Sequence, residues 1–194
     1  MTFASLCQDK EVAEGTFKKG QVKYGGKAEP FNSLNLQSPK PSPSIKAISR
    51  MNIRLTTEVK GNYKEIMRRF DRQLFEALKP KQGDMEIVEF TGSKTGDRVH
   101  LRFKSPVKME WISDITEHGE DEKQAFFVDE GIQLPFPLAY WRHQHIVEKI
   151  TEDTSYIIDD ITYRAVNSLL TPVLYPALYA AFYPRKKVYR AYFQ

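Results

Sequence analysis

The stretch Phe126–Lys149, FFVDEGIQLPFPLAYWRHQHIVEK, decides which fold the chain can adopt. Its second half alternates as a half-buried strand does, because successive side chains of a strand point to opposite faces. The face of interest carries four residues: Trp141, His143, His145 and Val147. An indole and two imidazoles beside a valine are too polar for simple core packing and too aromatic for a solvent-facing surface. The pattern favours the wall of a ligand cavity.

Composition predicts one globular domain in a reducing compartment. A chain of 194 residues is long enough to bury a core, and its 41% hydrophobic and 12% aromatic residues are ordinary for a globular protein. Cys7 is the single cysteine, so no intramolecular disulfide can form and the cytoplasm is the expected location. No apolar run is long enough to span a membrane, and the amino terminus lacks the pattern of a secretory signal.

The positive charge of the chain lies in its first part. Residues 1–50 hold eight Lys and Arg against four Asp and Glu, an excess equal to the net charge of +4 for the whole chain. Residues 51–194 are therefore neutral overall. Binding to nucleic acid requires a clustered positive surface, which this neutral part does not provide. We expect no nucleic-acid partner.

Residues 1–50 are predicted to form a disordered basic tail or linker. The segment SLNLQSPKPSPSIK holds three prolines, four serines and few large apolar side chains, a composition that cannot offset the entropy cost of ordering. A strand pattern begins abruptly at Met51, which favours the further hypothesis that Met51 is the natural start. A module that binds a partner through the basic tail is the alternative.

From Met51 onward, periodicity predicts an α+β domain. The first strand precedes a helix from Tyr63 to Leu78, for which Asn62 is a suitable N-cap. Antiparallel pairing of consecutive strands follows from the short turns between them. The remaining strands are predicted over Asp84–Thr91, Asp97–Ser105, Lys108–His118, Glu122–Glu130, Tyr140–Lys149 and Thr154–Arg164.

The carboxyl-terminal segment, Asn167–Gln194, changes to helical periodicity. Pro176 and Pro184 are expected to kink this helix or divide it, because proline cannot donate a backbone hydrogen bond. A long apolar helix across a curved antiparallel sheet leaves a cavity between the two layers. The predicted apolar face comprises Leu170, Leu174, Leu178, Ala181 and Phe182, continued loosely by Val188 and Tyr192.

Three motifs in order carry a resemblance to a known superfamily: Phe127-Val128-Asp129-Glu130, Trp141-Arg142-His143-Gln144-His145 and Asp159-Asp160-Ile161-Thr162-Tyr163. Over residues 51–194 the chain resembles the START-like (SRPBCC) superfamily, which includes polyketide cyclases and lipid-transfer domains, and most of all its small bacterial ligand-binding members. The resemblance implies a helix-grip fold, in which a curved antiparallel sheet wraps around a long carboxyl-terminal helix with an apolar tunnel between them. Phe136-Pro137 stands where related members usually place glycine and proline.

The function expected from these features is the binding of a small or medium apolar molecule. The alternative is a polyketide cyclase-like enzyme that uses the cavity histidines for acid–base chemistry. The sequence contains neither an activated nucleophile nor a cofactor fingerprint, so no cofactor is expected. The residues predicted to contact the ligand are Trp111, Phe127, Asp129, Trp141, His143, His145, Asp159 and Tyr163.

Other roles for these residues stay open at the level of sequence. His143 and His145 can be structural, hydrogen-bonded to neighbouring strands, and the aromatic residues can be ordinary core. A metal site needs a third ligand beside the two histidines, which Asp159 can supply, or Asp160 if the strand register slips by one residue. No metal is expected on this evidence.

Overall fold

The computed structural model describes residues 50–80, 84–105 and 107–194. These residues form one curled antiparallel sheet with helical segments against it. The strands are β1 (Met51–Lys60), β2 (Asp84–Phe90), β3 (Arg98–Ser105), β4 (Met109–Glu120), β5 (Gln124–Gln133), β6 (Leu138–Lys149) and β7 (Thr154–Ala165). The helices are α1 (Tyr63–Arg68), α2 (Arg72–Ala77), α3 (Leu170–Val173), α4 (Tyr175–Phe182) and α5 (Arg185–Tyr192).

The sheet has the strand order β1-β7-β6-β5-β4-β3-β2. The antiparallel meander predicted from the short turns is confirmed for β2 to β7, where each strand pairs with the next one along the chain. β1 instead pairs with β7, so β1 and β2 form the two edges of the sheet. The segment containing α1 and α2 connects these edges, and the sheet and its helices together give the predicted α+β architecture.

The register of the last two strands decides which of two neighbouring aspartates points inward. His145 pairs with Asp159, and the side chain of Asp159 lies on the buried face with 2% of its surface exposed. Asp160 points to the other face, where it accepts hydrogen bonds from Asn52 and Arg54. The side chains of β6 alternate as predicted, with Trp141, His143, His145 and Val147 all buried.

The single helix predicted from Tyr63 to Leu78 is wrong, because the structure has two short helices there. Asn62 caps α1 by accepting a hydrogen bond from the backbone N–H of Lys64, at 3.0 Å. Asp71 then caps α2 in the same way, accepting from the N–H of Leu74 at 3.0 Å. An aspartate that can satisfy free N–H groups favours a new helix start at this position.

The carboxyl-terminal helix is divided near its prolines, as the sequence predicts. Pro176 lies in the first turn of α4, and Pro184 is the residue before α5. The buried side differs from the predicted apolar face, because a helix that changes direction does not keep one continuous face. Ala181 is exposed, whereas Tyr189 and Phe193 are buried.

Two groups of buried side chains fill the space between sheet and helices. One joins Phe70 and Leu74 of the α1–α2 region to Phe127 and Tyr189. The other joins strands β1, β6 and β7 to Phe182 of α4. In the part of the chain that is described, the helices are too short or too polar to cross a membrane.

Candidate functional site

A cavity of about 200 Å³ opens between the concave face of the sheet, α2 and α4. Apolar side chains make most of its wall, and a few polar groups converge on one side of it. This combination is characteristic of small-molecule sites. The lining residues are Phe75, Leu78, Pro80, Met85, Val99, Leu101, Phe103, Trp111, Ser113, Asp129, Trp141, His143, His145, Leu178, Ala181, Phe182 and Arg185.

The structure brings most of the predicted site residues to this cavity. Those that line it are Trp111, Asp129, Trp141, His143 and His145. Phe127 and Asp159 lie directly behind the histidines and contact them instead of the cavity. Tyr163 is fully buried in the core beside β1, where its hydroxyl lies 3.8 Å from the sulfur of Met51.

Two histidines and two aspartates form a closed ring of contacts at the polar side of the cavity. His143 lies between the carboxylates, with Nε2 2.9 Å from Asp159 Oδ1 and Nδ1 3.4 Å from Asp129 Oδ2. His145 also lies between them, with Nε2 3.1 Å from Asp129 Oδ2 and Nδ1 3.7 Å from Asp159 Oδ1. The strand register produces this ring, because Asp129 pairs with His143 and Asp159 pairs with His145.

The surroundings hold this His–Asp ring in place. The phenyl ring of Phe127 stacks on His145 at a centroid distance of 4.2 Å, and the two imidazoles lie 3.7 Å apart. Tyr189 of α5 donates a hydrogen bond from its hydroxyl to Asp159 Oδ1, at 3.3 Å. The terminal helix thus connects to the ring through a buried polar contact, and not through apolar packing alone.

Two tryptophans form the wall beside the ring. The indole N–H of Trp141 donates to Asp129 Oδ1 at 3.1 Å, which orients the carboxylate. Trp111 meets Trp141 edge-on at 4.7 Å and donates to the hydroxyl of Ser113 at 3.0 Å. Both indole N–H groups are already hydrogen-bonded, so the two tryptophans present aromatic surface, not a free donor, to the cavity.

Burial and mutual attraction shift the ionisation of this cluster. Burial, and then the neighbouring His143, lower the pKa of His145 to about 4. Burial alone would raise the pKa of the Asp159 carboxyl. The hydrogen bond with His143 and the electrostatic attraction of the His143 imidazole outweigh burial, so the pKa of Asp159 falls to about 2. The same competition, with His145 as the hydrogen-bond partner, leaves the pKa of Asp129 below its usual value. Both carboxylates are therefore ionised at neutral pH.

One atom of the ring lacks a hydrogen-bond partner. Nδ1 of His145 is buried, and within the described ranges no donor or acceptor reaches it. Its contact with Asp159 Oδ1, at 3.7 Å, is too long for a hydrogen bond. Buried polar atoms are nearly always paired, so this atom indicates a group that the ring is built to accept or a rearrangement that it can undergo.

Several residues of the site were not predicted as site residues from the sequence. Tyr189 and Arg185 lie on α5, and their approach to the ring or the cavity depends on the turn of the chain at Pro184. Ser113 lies two residues after Trp111 on β4, so alternation along this strand places both side chains on one face. Phe75 and Leu78 enter from α2, whose position depends on the break at Asp71.

Comparison of the sequence with models of protein families and with curated proteins finds no match. Solved structures do match. Norcoclaurine synthase from Thalictrum flavum is 14% identical, with a TM-score of 0.55 over 81% of this chain and 95% of that one. A hypothetical protein from Helicobacter pylori is 14% identical, with a TM-score of 0.56 over 74% of this chain and 88% of its own.

An aromatase/cyclase from Streptomyces sp. R1128 is similar in the same way, at 10% identity and a TM-score of 0.50, over 72% of this chain and 88% of the cyclase. Such low identities establish the fold and nothing finer. The shared architecture is a curled antiparallel sheet around a bent carboxyl-terminal helix. The chain therefore has the helix-grip fold of the START-like (SRPBCC) superfamily.

Proposed function

We propose that this protein binds a small or medium apolar molecule in the cavity between the sheet and α4. The observation that carries the proposal is the mostly apolar cavity of about 200 Å³, with the His–Asp ring on one side. Transfer of apolar surface from water contributes about 25 cal/mol per Å², before the costs of association.

The polar groups of the cavity supply orientation. His143, His145 and Asp129 present polar atoms toward one side of the cavity, and Arg185 also lines it. The guanidinium of Arg185 stacks on the ring of Phe182 at 4.1 Å, which limits its freedom. A ligand with an apolar body and one polar end fits this distribution of groups.

A cavity-filling substitution tests the proposal. Ala181→Trp places an indole into the cavity wall, whereas Ala180→Trp places the same group at a neighbouring exposed position outside the lining. We expect Ala181→Trp to weaken the binding of an environment-sensitive fluorescent apolar probe, such as anilinonaphthalenesulfonate, about tenfold or more. Ala180→Trp should bind as the unsubstituted protein does.

Native mass spectrometry provides the second readout. Protein purified from its own cells should carry a co-purified organic molecule, and the amount should fall in Ala181→Trp. The proposal would be contradicted if Ala181→Trp bound the probe as well as Ala180→Trp does. It would also be contradicted if both variants lost probe binding to the same degree. Folding is checked for each variant by circular dichroism, so that a misfolded variant is not counted.

Acid–base catalysis is the second candidate function. The observation that favours it is the buried contact between His143 and Asp159 at 2.9 Å beside an apolar cavity, because such a pair can hold an imidazole for proton transfer. Turnover of a polyketide-like or aromatic substrate should then fall about 10²- to 10⁴-fold in His143→Gln. His100→Gln, which changes a histidine paired with Glu110 away from the ring, is the control. Binding without turnover of any such substrate would reject this candidate.

A further inference from the structure

We infer that Asp129, His143 and His145 form a binding site for a divalent transition-metal ion, with one coordination position facing the cavity. The three side chains belong to adjacent strands β5 and β6, and one ligand atom of each lies within 4.8 Å of the other two. This inference goes beyond the proposed function and does not depend on it, because the ion can bind with or without an apolar ligand.

The distances from Asp129 to the two histidines match those between neighbouring ligands of a tetrahedral ion. Bonds of about 2.0–2.1 Å place neighbouring ligands of such an ion about 3.3 Å apart. Asp129 Oδ2 lies 3.4 Å from His143 Nδ1 and 3.1 Å from His145 Nε2. Asp129 therefore lies at a suitable distance from each histidine, and all three side chains offer a ligand atom within 4.8 Å of the other two.

The residues that contact the three proposed ligands are also arranged as they are around metal ions in proteins. A metal-bound histidine usually donates its other ring N–H to a carboxylate, which fixes its orientation. Asp159 occupies that position for His143, at 2.9 Å from Nε2, and its Oδ1 lies 3.7 Å from Nδ1 of His145, beyond hydrogen-bond distance. The indole N–H of Trp141 donates to the other oxygen of Asp129, and the ring of Phe127 stacks on His145, so each proposed ligand has a neighbour that restrains it.

Counting protons supports an ion at this position. Four ring nitrogens of His143 and His145 face carboxylates, whereas two neutral imidazoles supply only two N–H donors. An ion bound to His143 Nδ1 and His145 Nε2 takes up two lone pairs and leaves both protons on the nitrogens that face Asp159. The buried Nδ1 of His145, which has no partner among the described residues, then carries a proton, and Asp159 Oδ1 lies 3.7 Å from it.

Charge balance supports the same conclusion. Two aspartates with neutral histidines leave two negative charges in a largely buried cluster, and burying charge that is not fully compensated is costly. The nearby guanidinium of Arg185 attracts Asp159 but supplies only one positive charge. A divalent cation makes the cluster neutral overall. Two imidazolium ions would also balance the charge without a metal, and this metal-free ion-pair cluster is the outcome against which the inference is tested.

The ligand set limits which ions are suitable. Two imidazole nitrogens and one carboxylate suit Zn²⁺ or Fe²⁺, whereas Mg²⁺ and Ca²⁺ prefer oxygen ligands alone. Asp129, His143 and His145 all line the cavity, so the fourth position opens toward bound water or an oxygen atom of a ligand. Three protein ligands with one open position are typical of catalytic rather than structural ion sites.

The sequence predicted no metal, and the residue that it offered as a third ligand differs from the one in the structure. Asp159 could supply a third ligand by its place in the sequence, but in the structure it lies behind the two histidines and is absent from the cavity lining. Asp129 takes that place because β5 pairs with β6 so that Asp129 lies directly opposite His143. This pairing is a property of the sheet register, which a motif on one strand does not show.

Metal titration of the full chain tests the inference. The protein is prepared with a chelator, and Zn²⁺ is added in competition with a chromophoric chelator and without any apolar ligand. We expect one tightly bound Zn²⁺ per chain, and a bound Co²⁺ ion with the visible absorption of a four- or five-coordinate site. Anaerobic titration with Fe²⁺ in competition with Zn²⁺ distinguishes the two candidate ions.

Variants locate the ion. Asp129→Asn and His145→Ala should weaken Zn²⁺ binding at least about 100-fold, and Asp159→Asn about 10- to 100-fold. His118→Ala, which removes an exposed histidine outside the cavity, should change the affinity less than about twofold. Unchanged Zn²⁺ binding in Asp129→Asn would overturn the inference.

A measurement on the unsubstituted protein keeps the test valid if a variant does not fold. An ion that binds only the folded state raises the melting temperature with increasing concentration. A melting temperature that stays constant from equimolar to excess Zn²⁺, together with less than one bound ion per chain, would reject the metal site. Probe binding by the metal-free protein is measured separately, so failure of this inference leaves the apolar-ligand proposal standing, and the reverse also holds.

Discussion

Asp159 is the residue that connects the layers of the molecule. On β7 it faces inward, where it contacts both histidines of β6 and accepts a hydrogen bond from Tyr189 of α5. Burial and the nearby Asp159 charge raise the pKa of Tyr189, so its hydroxyl remains a donor throughout the physiological range. The position of the terminal helix and the orientation of the His–Asp ring therefore depend on the same carboxylate.

The lowered pKa values of this ring predict an acid-sensitive stability in metal-free protein. His145 has a pKa of about 4 in the folded state against 6.5 for the free group, so the unfolded chain binds more protons between these values. The free energy of unfolding should therefore fall as pH decreases from about 6.5 to 4. One such proton contributes at most about 1.4 kcal/mol per pH unit.

Asp159 continues this loss at lower pH. Its pKa of about 2 lies below the ordinary 3.8, so its stabilising contribution is present above about pH 3.8 and is lost as pH falls toward 2. The lowered pKa of Asp129 on β5 acts in the same direction. Denaturant titrations at several pH values in a chelating buffer measure the effect.

Substitution of His145 isolates its contribution to the pH dependence of the free energy of unfolding. His145→Gln should flatten the pH dependence between about pH 6.5 and 4, whereas His118→Gln, at an exposed position, should leave it unchanged. A free energy of unfolding that rises as pH decreases from 6.5 to 4 would contradict the predicted direction of the pH dependence.

At the scale of elements, the break between α1 and α2 places residues of α2 against the cavity. The N–H of Leu74 donates to the carboxylate of Asp71, and Phe75 then lies in the cavity wall. A continuous helix from α1 would have a single straight axis, and the side chains of α2 would then lie along that axis. Two short helices instead follow the concave side of the curled sheet, because each can start at its own capping residue.

Asp71→Ala tests this capping role. We expect it to lower the free energy of unfolding by about 0.5–2 kcal/mol, the usual cost of losing an N-cap. Gln73→Ala changes an exposed position in the same helix and should stay within about 0.5 kcal/mol of the unsubstituted protein. Chemical denaturation checks both values, and equal effects of the two substitutions would contradict the assignment of the cap.

At the scale of the whole molecule, β1 completes the sheet by pairing with the last strand. Its ten residues pair with β7, and Ile53, Leu55 and Val59 are nearly fully buried. The sheet and the helices that cover it thus lie within residues 51–194. The disordered basic tail was predicted over residues 1–50, of which 1–49 lie outside the described residues. We propose 51–194 as the independently folding domain.

Truncation tests the proposed boundary. A chain that starts at Met51 should fold with a melting temperature close to that of the full chain. A chain that starts at Gly61 lacks β1 and the three buried side chains, each of which contributes about 1.5–3 kcal/mol. That loss approaches the total stability of an ordinary domain, so this chain should be unfolded. Circular dichroism distinguishes the outcomes, and an unfolded Met51 chain would refute the boundary.

The sequence determined the local features that depend on neighbouring residues. Alternation along β6 predicted the common buried face of Trp141, His143 and His145, and the turns predicted an antiparallel meander. Pro176 and Pro184 predicted the division of the last helix, because proline acts on its own helical turn. These features follow from periodicity and backbone chemistry within one segment, and the resemblance in motif order indicated the fold that joins them.

Only the tertiary structure decided which side chains meet. The register of β5 on β6 placed Asp129 against the two histidines, and that of β7 placed Asp159 behind them. The turn at Pro184 carried Tyr189 to the same carboxylate across 30 residues of chain. A shift of one residue in any pairing reverses the faces of a strand, so contacts between strands depend on the packing of the whole sheet.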